Sequence, residues 1–193
     1  MNQSRTKQKI EEIHRTIAHL FARKGFHATS MRAIAQALEM QPASLYHYFK
    51  SKEEMLFVLM NESMDEAMEK LKKVCNTDSP PEQKLKDMLG FYARFFAGDQ
   101  EREILLVNEI ESLGDAYRKI LTDKQRRYIH LIRSVFQELA EADLLKEVDS
   151  TVATFAFFGM VHYTIRWYDE EGPVDVTTLS DNFVEIFTRG ILK

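Results

Sequence analysis

The chain has 193 residues, of which 45% are hydrophobic and 29% are charged, a composition that excludes a disordered protein and is typical of a globular one. Its single cysteine, Cys75, excludes a disulfide framework within the chain and favours a reducing compartment. The N-terminus is too charged for a signal peptide, and no stretch reaches the roughly 18 apolar residues of a membrane span. We therefore expect a cytoplasmic protein.

The net charge of −4 is unevenly distributed along the chain. Residues 1–52, the head, contain nine Lys or Arg and three Glu, a net charge of +6. Residues 53–193, the body, contain 17 Lys or Arg and 27 Asp or Glu, a net charge of −10. A basic head on an acidic body suggests that the head contacts a polyanion while the body has another role, although solvated faces also segregate by chance.

The predicted elements are all helices. Apolar residues recur every three or four positions, and the chain has only 7 Gly and 4 Pro to punctuate it, which favours long helices. The first helix carries Ile13, Ile17 and Phe21 on one face and ends at Gly25. A second, of about nine residues, follows Thr29 and Ser30, and a third, of about eight, starts near Pro42 with Leu45 and Phe49 facing inward.

The fourth helix, predicted over about 52–74, begins at a capping box made by Ser51 and Glu54. It links a predicted domain at 1–52 to a second domain at 53–193. The Pro-rich "NTDSPPEQK" separates it from the helices of the body, of which the last two long ones lie near 149–169 and 177–191. The 149–169 segment lacks turn signals and is predicted to be a buried helix. The fold class is therefore all-α, with about nine helices: a three-helix head and a larger helical bundle.

The first three helices have the layout of a helix-turn-helix, whose third helix enters the DNA major groove. Its outward residues are short or polar near the helix start, where base edges would be close, and the longer ones can reach phosphates. The N–H groups that start the second helix offer a further phosphate contact. The predicted DNA-binding residues are Thr29, Ser30, Arg32, Gln41, Pro42, Ala43, Ser44, Tyr46, His47, Tyr48 and Lys52.

The stretch "ATSMRAIAQALEMQPASLYHYFKSKEEML", residues 28–56, resembles the signature of the TetR family of bacterial one-component transcriptional regulators. The resemblance implies the same DNA-contacting positions from Ser30 onward. Two residues depart from the family pattern. Glu39 stands in the link where the family usually has Gly, so we expect a strained backbone there. Gln41 replaces the commoner Ser cap, so an operator sequence cannot be inherited.

The same resemblance implies a homodimer through the last two long helices and a small-molecule pocket in the body. A dimer also reads two half-sites about one helical turn apart, which one short helix cannot do. Gly159 would permit close backbone approach at that interface. The predicted ligand-binding residues are Phe91, Phe95, Asn108, Tyr128, Phe158, His162, Arg166 and Trp167. The alternative for each aromatic residue, and the more common role of such residues, is a place in the core.

The ending "RWYDEEGPVDVTTLSDNFVEIFTRGI" resembles a TetR subgroup that regulates lipid or steroid catabolism and responds to acyl-CoA thioesters. The hypothesis is a repressor released from a palindromic operator by a small hydrophobic or acyl-CoA-like effector that shifts the fourth helix. An aromatic tunnel suits an acyl chain, and arginines are candidates for its phosphates, although surface ion pairs explain them equally well. These arginines are Arg94, Arg127, Arg133 and Arg166.

Two alternatives compete with a regulator. A metal-dependent enzyme could use Asn108, Glu109, Glu111, His130 and His162, yet no catalytic or metal-binding motif accompanies them. A helical adaptor could bind a protein through the acidic body, but it leaves the basic head unexplained. We therefore predict no enzymatic activity, no cofactor, no metal and no membrane partner.

Overall fold

The computed structural model describes the backbone of residues 2–193 and the side chains of residues 8–193. Within these residues the regular elements are all helical, as predicted, apart from an isolated bridge between Leu145 and Leu192. They are α1 (Asn2–Lys24), α2 (Met31–Ala37), α3 (Pro42–Leu45), α4 (Lys52–Cys75), α5 (Pro81–Gly98), α6 (Gln100–Asn108), a 3-10 turn (Ile110–Ser112), α7 (Asp115–Glu141), α8 (Ser150–His162), α9 (Thr164–Trp167) and α10 (Val176–Ile191). Only Tyr163 separates α8 from α9, so counting the two as one interrupted helix gives the predicted nine.

The chain packs as two compact units. The first unit comprises the residues up to Ser63 together with Glu101–Leu121, and the second comprises Met64–Gln100 and Thr122–Lys193. These units are defined by packing and do not coincide with the predicted functional boundary between residues 52 and 53, which stays a prediction.

In the first unit, α1 buries the face that its apolar spacing predicts. Ile13, Ile17 and Phe21 are at most 1% exposed. Gly25 then ends the helix at a φ of +86°, a conformation that glycine adopts without a steric penalty. α2 packs against both α1 and α3, and the predicted inward residues of α3, Leu45 and Phe49, are buried.

The third helix is shorter than predicted. α3 has four residues instead of about eight, and Tyr46–Tyr48 continue it as a turn in which His47 N–H donates to the Ser44 carbonyl. Phe49 still reaches the core because its N–H donates to the Leu45 carbonyl over one more helical turn, at 3.1 Å. The third helix is thus a single α-helical turn, Pro42–Leu45, that continues as a tighter turn with hydrogen bonds between residues three positions apart.

In the second unit, α5 packs against α8, α9 and α10. Arg94 of α5 donates a hydrogen bond to the Ser180 hydroxyl of α10 at 2.8 Å, beside Gly90. α7 is joined to α4 by the buried Tyr128 hydroxyl, which donates to the Met64 carbonyl. The chain end returns to the loop after α7, where Lys146 N–H donates to the Ile191 carbonyl at 2.8 Å.

α8 differs from its prediction as a buried helix. Its residues Ala153, Phe157 and Val161 are buried, but Val152 and Phe155 are 63% and 57% exposed. Most positions of α8 are apolar and its few polar residues do not mark one side, so the sequence gives little contrast that would reveal an outward face. Along the described chain, no helix is both long enough and apolar enough to cross a bilayer.

Candidate DNA interface and effector site

The N-terminus of α2 presents polar groups to solvent. Ser30 caps it by accepting a hydrogen bond from Ala33 N–H at 3.1 Å, which leaves the serine O–H as a donor for another acceptor. Arg32 follows in the first turn with an exposed side chain. Together these groups form a site at which a phosphate can be bound through a hydroxyl, a guanidinium and the helix N-terminus.

The structure places the Thr29 side chain differently from the prediction that it contacts DNA. The residue is 1% exposed, and its hydroxyl donates to the Gly25 carbonyl at 2.8 Å. A hydroxyl enclosed in this way holds the loop between α1 and α2 and cannot reach a phosphate.

The surface of α3 and its following turn is polar and open. Pro42 occupies the first helical position. The side-chain amide of the preceding Gln41 makes no capping hydrogen bond with the helix. Tyr46 and Tyr48 are 54% and 46% exposed, which is unusual for tyrosines in a packed domain. The structure exposes the remaining predicted members of this surface fully or in part: Ala43, Ser44 and His47.

Lys52 has partners within the chain. Its ammonium donates to the carbonyls of Phe26 and His27 at 2.7 and 3.3 Å, and it lies 4.4 Å from the centroid of the Phe26 ring. These contacts fasten the start of α4 to the loop between α1 and α2. Lys52 therefore positions the base of the head in addition to any phosphate contact.

A second set of contacts, which sequence reasoning missed, joins the head and the first turn of α4 to residues 101–121 within the first unit. The His19 imidazole lies 2.7 Å from a carboxylate oxygen of Glu101, and the His27 imidazole lies 3.1 Å from the Ser112 hydroxyl. Glu53 accepts a hydrogen bond from Gly114 N–H at 2.8 Å. The partners are 61 to 85 residues apart in the chain, so no local pattern could have indicated them.

The second unit contains an aromatic cluster, whose members are Tyr92, Phe96, Tyr128, Phe157, Phe158 and His162. The ring of Tyr92 contacts those of Tyr128 and Phe157, with centroids 6.4 and 5.4 Å apart. His162 lies between Phe96 and Phe158, at 4.6 and 5.1 Å. Burial lowers the pKa of His162 from 6.5 to about 4, because an imidazolium loses its hydration among these rings.

Three of the eight predicted ligand-binding residues belong to this cluster: Tyr128, Phe158 and His162. Phe91 and Phe95 lie on a neighbouring face of α5, where the Lys70 ammonium is 5.8 and 5.7 Å from their ring centroids. Each also contacts a ring of the cluster, Phe91 that of Tyr92 at 5.1 Å and Phe95 that of Phe96 at 6.1 Å. The α5 rings next to Phe157 and His162 are those of Tyr92 and Phe96, one position further along. The remaining three are exposed: Asn108 in the first unit, and Arg166 and Trp167 in the second.

The two carboxylates of the enzyme alternative have structural partners. Glu109 accepts a hydrogen bond from the Ser112 hydroxyl at 2.6 Å, and Glu111 pairs with Arg118 at 3.0 Å. His130 is exposed. Among the described side chains, no three of His, Cys, Asp or Glu come together as ligands for a metal ion.

Exposed apolar residues lie along one side of α8 and on α10, which packs against α8. On α8 the residues recur at helical spacing on one side: Val152, Phe155, Ala156, Gly159 and Tyr163. Ile186 of α10 is 66% exposed, and a Cβ built on Gly159 would have no neighbour within 4 Å. We call these residues the α8–α10 face.

Two family models match this chain. Residues 13–59 match the bacterial regulatory proteins of the tetR family, and residues 78–191 match the tetracyclin repressor-like C-terminal domain. The second match alone covers more than half of the chain.

Relatives match over nearly the whole length. The fatty acid metabolism regulator protein of Bacillus subtilis is 23% identical over 95% of both chains. The HTH-type transcriptional repressor KstR2 of Mycolicibacterium smegmatis is 23% identical over 98% of this chain and 94% of its own. The crystal structure of AibR in complex with isovaleryl coenzyme A and operator DNA superposes with a TM-score of 0.83 at 28% identity, over 92% of this chain and 97% of AibR. The chain belongs to the tetR family of bacterial regulatory proteins and is a ligand-responsive, DNA-binding transcriptional repressor.

Proposed function

We propose that this repressor binds a palindromic operator as a homodimer in the cytoplasm and is released by an acyl-CoA thioester bound in its body. The observation that carries the effector class is the aromatic cluster, considered with the relatives of fatty acid regulation and the AibR complex with isovaleryl coenzyme A. An apolar aromatic site accommodates an acyl chain, and exposed arginines can meet the phosphates of a CoA moiety. The domain boundary near residue 52 and the absence of catalysis are part of the same proposal.

The DNA-binding surface in this proposal is formed by the polar residues at the start of α2 and along α3. Gln41 and Ser44 contact base edges, and the small Pro42 and Ala43 allow close approach to them. Ser30, Arg32, Tyr46, His47, Tyr48 and Lys52 contact phosphates and fix the register. Thr29 acts indirectly by holding the loop before α2.

The dimer in this proposal forms through the α8–α10 face. Apolar residues that are more than half exposed, such as Phe155 and Ile186, indicate a surface that is covered in the working protein. Gly159 leaves room for a partner's helix to approach closely. A two-fold contact of this kind places two recognition elements on one face of DNA, about 34 Å apart.

The release step in this proposal acts on α4. The hydroxyl of Tyr128, a member of the aromatic cluster, is bonded to the Met64 carbonyl of α4. The first turn of the same helix contacts the loop after α1 through Lys52 and the turn before α7 through Glu53. The protein has two conformations that differ in the position of α4. An effector that binds one conformation more tightly shifts the population towards it, with a coupling of roughly 1–3 kcal/mol.

The experiment that tests the function begins with selection of genomic fragments by the purified protein at physiological salt. We expect enrichment of a two-fold symmetric site. Acyl-CoA esters of increasing chain length are then titrated against the complex, and fluorescence anisotropy measures the fraction of operator DNA that stays bound. We expect at least one ester to release the DNA. Release by none of the esters would refute the effector class while leaving the DNA-binding function in place.

A substitution tests the DNA surface directly. Arg32→Ala should weaken binding to all sequences and reduce the slope of log K against log salt by about 2 for a dimer that loses one phosphate contact per subunit. Arg126→Ala is the matched control, since Arg126 is 75% exposed and lies on α7 in the second unit. Equal salt slopes for wild type and Arg32→Ala would contradict the phosphate role.

A further inference from the structure

His162 is a polar side chain whose ring lies between two phenylalanine rings. It ends α8 with its ring 4.6 Å from Phe96 and 5.1 Å from Phe158. Among the residues that the structure describes, its imidazole makes no hydrogen bond or ion pair. The side chain is half-buried and so keeps a route to whatever enters the cluster.

The imidazole is neutral under physiological conditions, since burial holds its pKa at about 4. A neutral imidazole offers one N–H donor and one acceptor nitrogen. Placed between phenyl rings and without a hydrogen-bond partner among the described residues, such a group is available to a bound molecule that carries a matching acceptor or donor. A ligand that is apolar along its length but carries one neutral acceptor fits this environment.

We propose that His162 recognises the thioester carbonyl of the effector, donating its imidazole N–H to the carbonyl oxygen while Phe96 and Phe158 pack against the adjoining acyl chain. The inference rests on the proposed function and adds the group that the site reads. It predicts a site that distinguishes a CoA thioester from a CoA derivative of equal length that lacks the carbonyl.

The test compares an acyl-CoA with the S-alkyl-CoA thioether of the same chain length, in which a methylene replaces the carbonyl. The readout is the concentration of each compound that releases half of the operator from the wild-type protein. We expect the thioester to act at a concentration about fivefold lower, the effect of one hydrogen bond between neutral groups. Equal midpoints for the two compounds would overturn the inference and leave the proposed effector class intact.

Variants identify the donor. His162→Phe should remove the difference between the two compounds, and His162→Gln should retain part of it, because an amide still supplies an N–H donor. His130→Phe is the matched control on an exposed histidine of α7 and should keep the full difference. Operator binding without effector shows that each variant is folded, and a fivefold difference that persists in His162→Phe would assign the recognition to another residue.

The wild-type comparison also separates the two levels of the proposal. If neither compound releases the operator at any chain length, the acyl-CoA function fails, and the role of His162 fails with it. If both compounds release it equally, only the role of His162 fails.

Discussion

At the scale of single residues, Glu39 has an energetically unfavourable backbone conformation. Its φ is +53°, in the left-handed region that glycine adopts freely. The conformation lets Met40 N–H donate to the Ala35 carbonyl at 2.9 Å, which closes the end of α2 before the link to α3. The strain expected from the sequence is therefore confirmed, and it lies in the turn that sets the angle between the two helices.

Glu39→Gly should raise the free energy of unfolding by about 0.5–1 kcal/mol. Relief of left-handed strain contributes roughly 1–2 kcal/mol, and the greater freedom of glycine in the unfolded chain offsets part of it. Urea denaturation followed by circular dichroism measures the change. Gln36→Gly, at an exposed helical position of α2, is the control and should lower stability by about 1 kcal/mol. Destabilisation by both substitutions would contradict the strain.

His162 makes stability depend on pH. Its pKa is about 4 in the folded protein and 6.5 without the burial. The unfolded chain therefore takes up a proton near pH 6.5, while the folded protein does not until about pH 4. The stabilisation is complete above pH 6.5 and is lost as pH falls towards 4, by up to about 3 kcal/mol.

The corresponding experiment measures unfolding free energy between pH 7 and 4.5 for wild type and His162→Phe. Other groups contribute equally to both proteins, so the difference between the two curves isolates His162. We expect the wild-type curve to fall more steeply. Parallel curves would show that the imidazole is protonated as easily in the folded protein as in the unfolded chain.

At the scale of elements, the start of α4 shows how a local signal and distant contacts combine. Ser51 caps the helix by accepting a hydrogen bond from Glu54 N–H at 3.0 Å, as the sequence predicts. The Glu54 carboxylate returns to the N–H of Lys50, one residue before the one that a capping box specifies. Lys52 and Glu53 then bind the loop after α1 and the turn before α7.

Ser51→Ala should lower the free energy of unfolding by about 1 kcal/mol, since the first turn of α4 loses its side-chain acceptor. Ser79→Ala removes the same hydroxyl just before α5, whose N-cap is Pro80 and has no side-chain capping bond, and should change stability by less than about 0.5 kcal/mol. Thermal and urea unfolding of both variants would show the contrast. Indistinguishable variants would mean that the cap contributes nothing beyond what water supplies.

At the scale of the whole molecule, the proposed dimer depends on the α8–α10 face to bring two recognition elements together. Phe155 and Ile186 are 57% and 66% exposed, and a carboxylate in a buried dimer interface loses its hydration without a partner. Phe155→Glu or Ile186→Glu should therefore give monomers in sedimentation velocity. Operator affinity should fall by about two orders of magnitude, because the second half-site is no longer bound within the same complex.

Ile120→Glu is the control for this prediction. Ile120 is also an exposed apolar residue, at 44%, but it lies on α7 in the first unit. The variant should remain dimeric and bind the operator normally. Monomers from Ile120→Glu, or dimers from both α8–α10 variants, would place the interface elsewhere.

Within the candidate sites, the sequence predicted the exposed surface of α3 but not every partner of its residues. Thr29 and Lys52 have the polar chemistry of phosphate contacts, yet both bond to carbonyls of the loop after α1. In the body, helical spacing marked α5 as aromatic without showing which side faces the cluster. Phe91 and Phe95 were predicted, whereas Tyr92 and Phe96 are the α5 rings next to Phe157 and His162. Rotation by one position, about 100°, separates the two choices.

The sequence by itself determined the helices, their caps, the buried residues of the head and the family, because these depend on apolar periodicity, capping chemistry and local motifs within a few residues. Only the tertiary structure decided which polar groups of the head are held internally, which face of α5 meets His162, and that α8 breaks at Tyr163 and exposes one side. Each of these depends on partners tens of residues away, and in a mostly apolar helix such as α8 the sequence gives little contrast between the side that packs and the side that remains open.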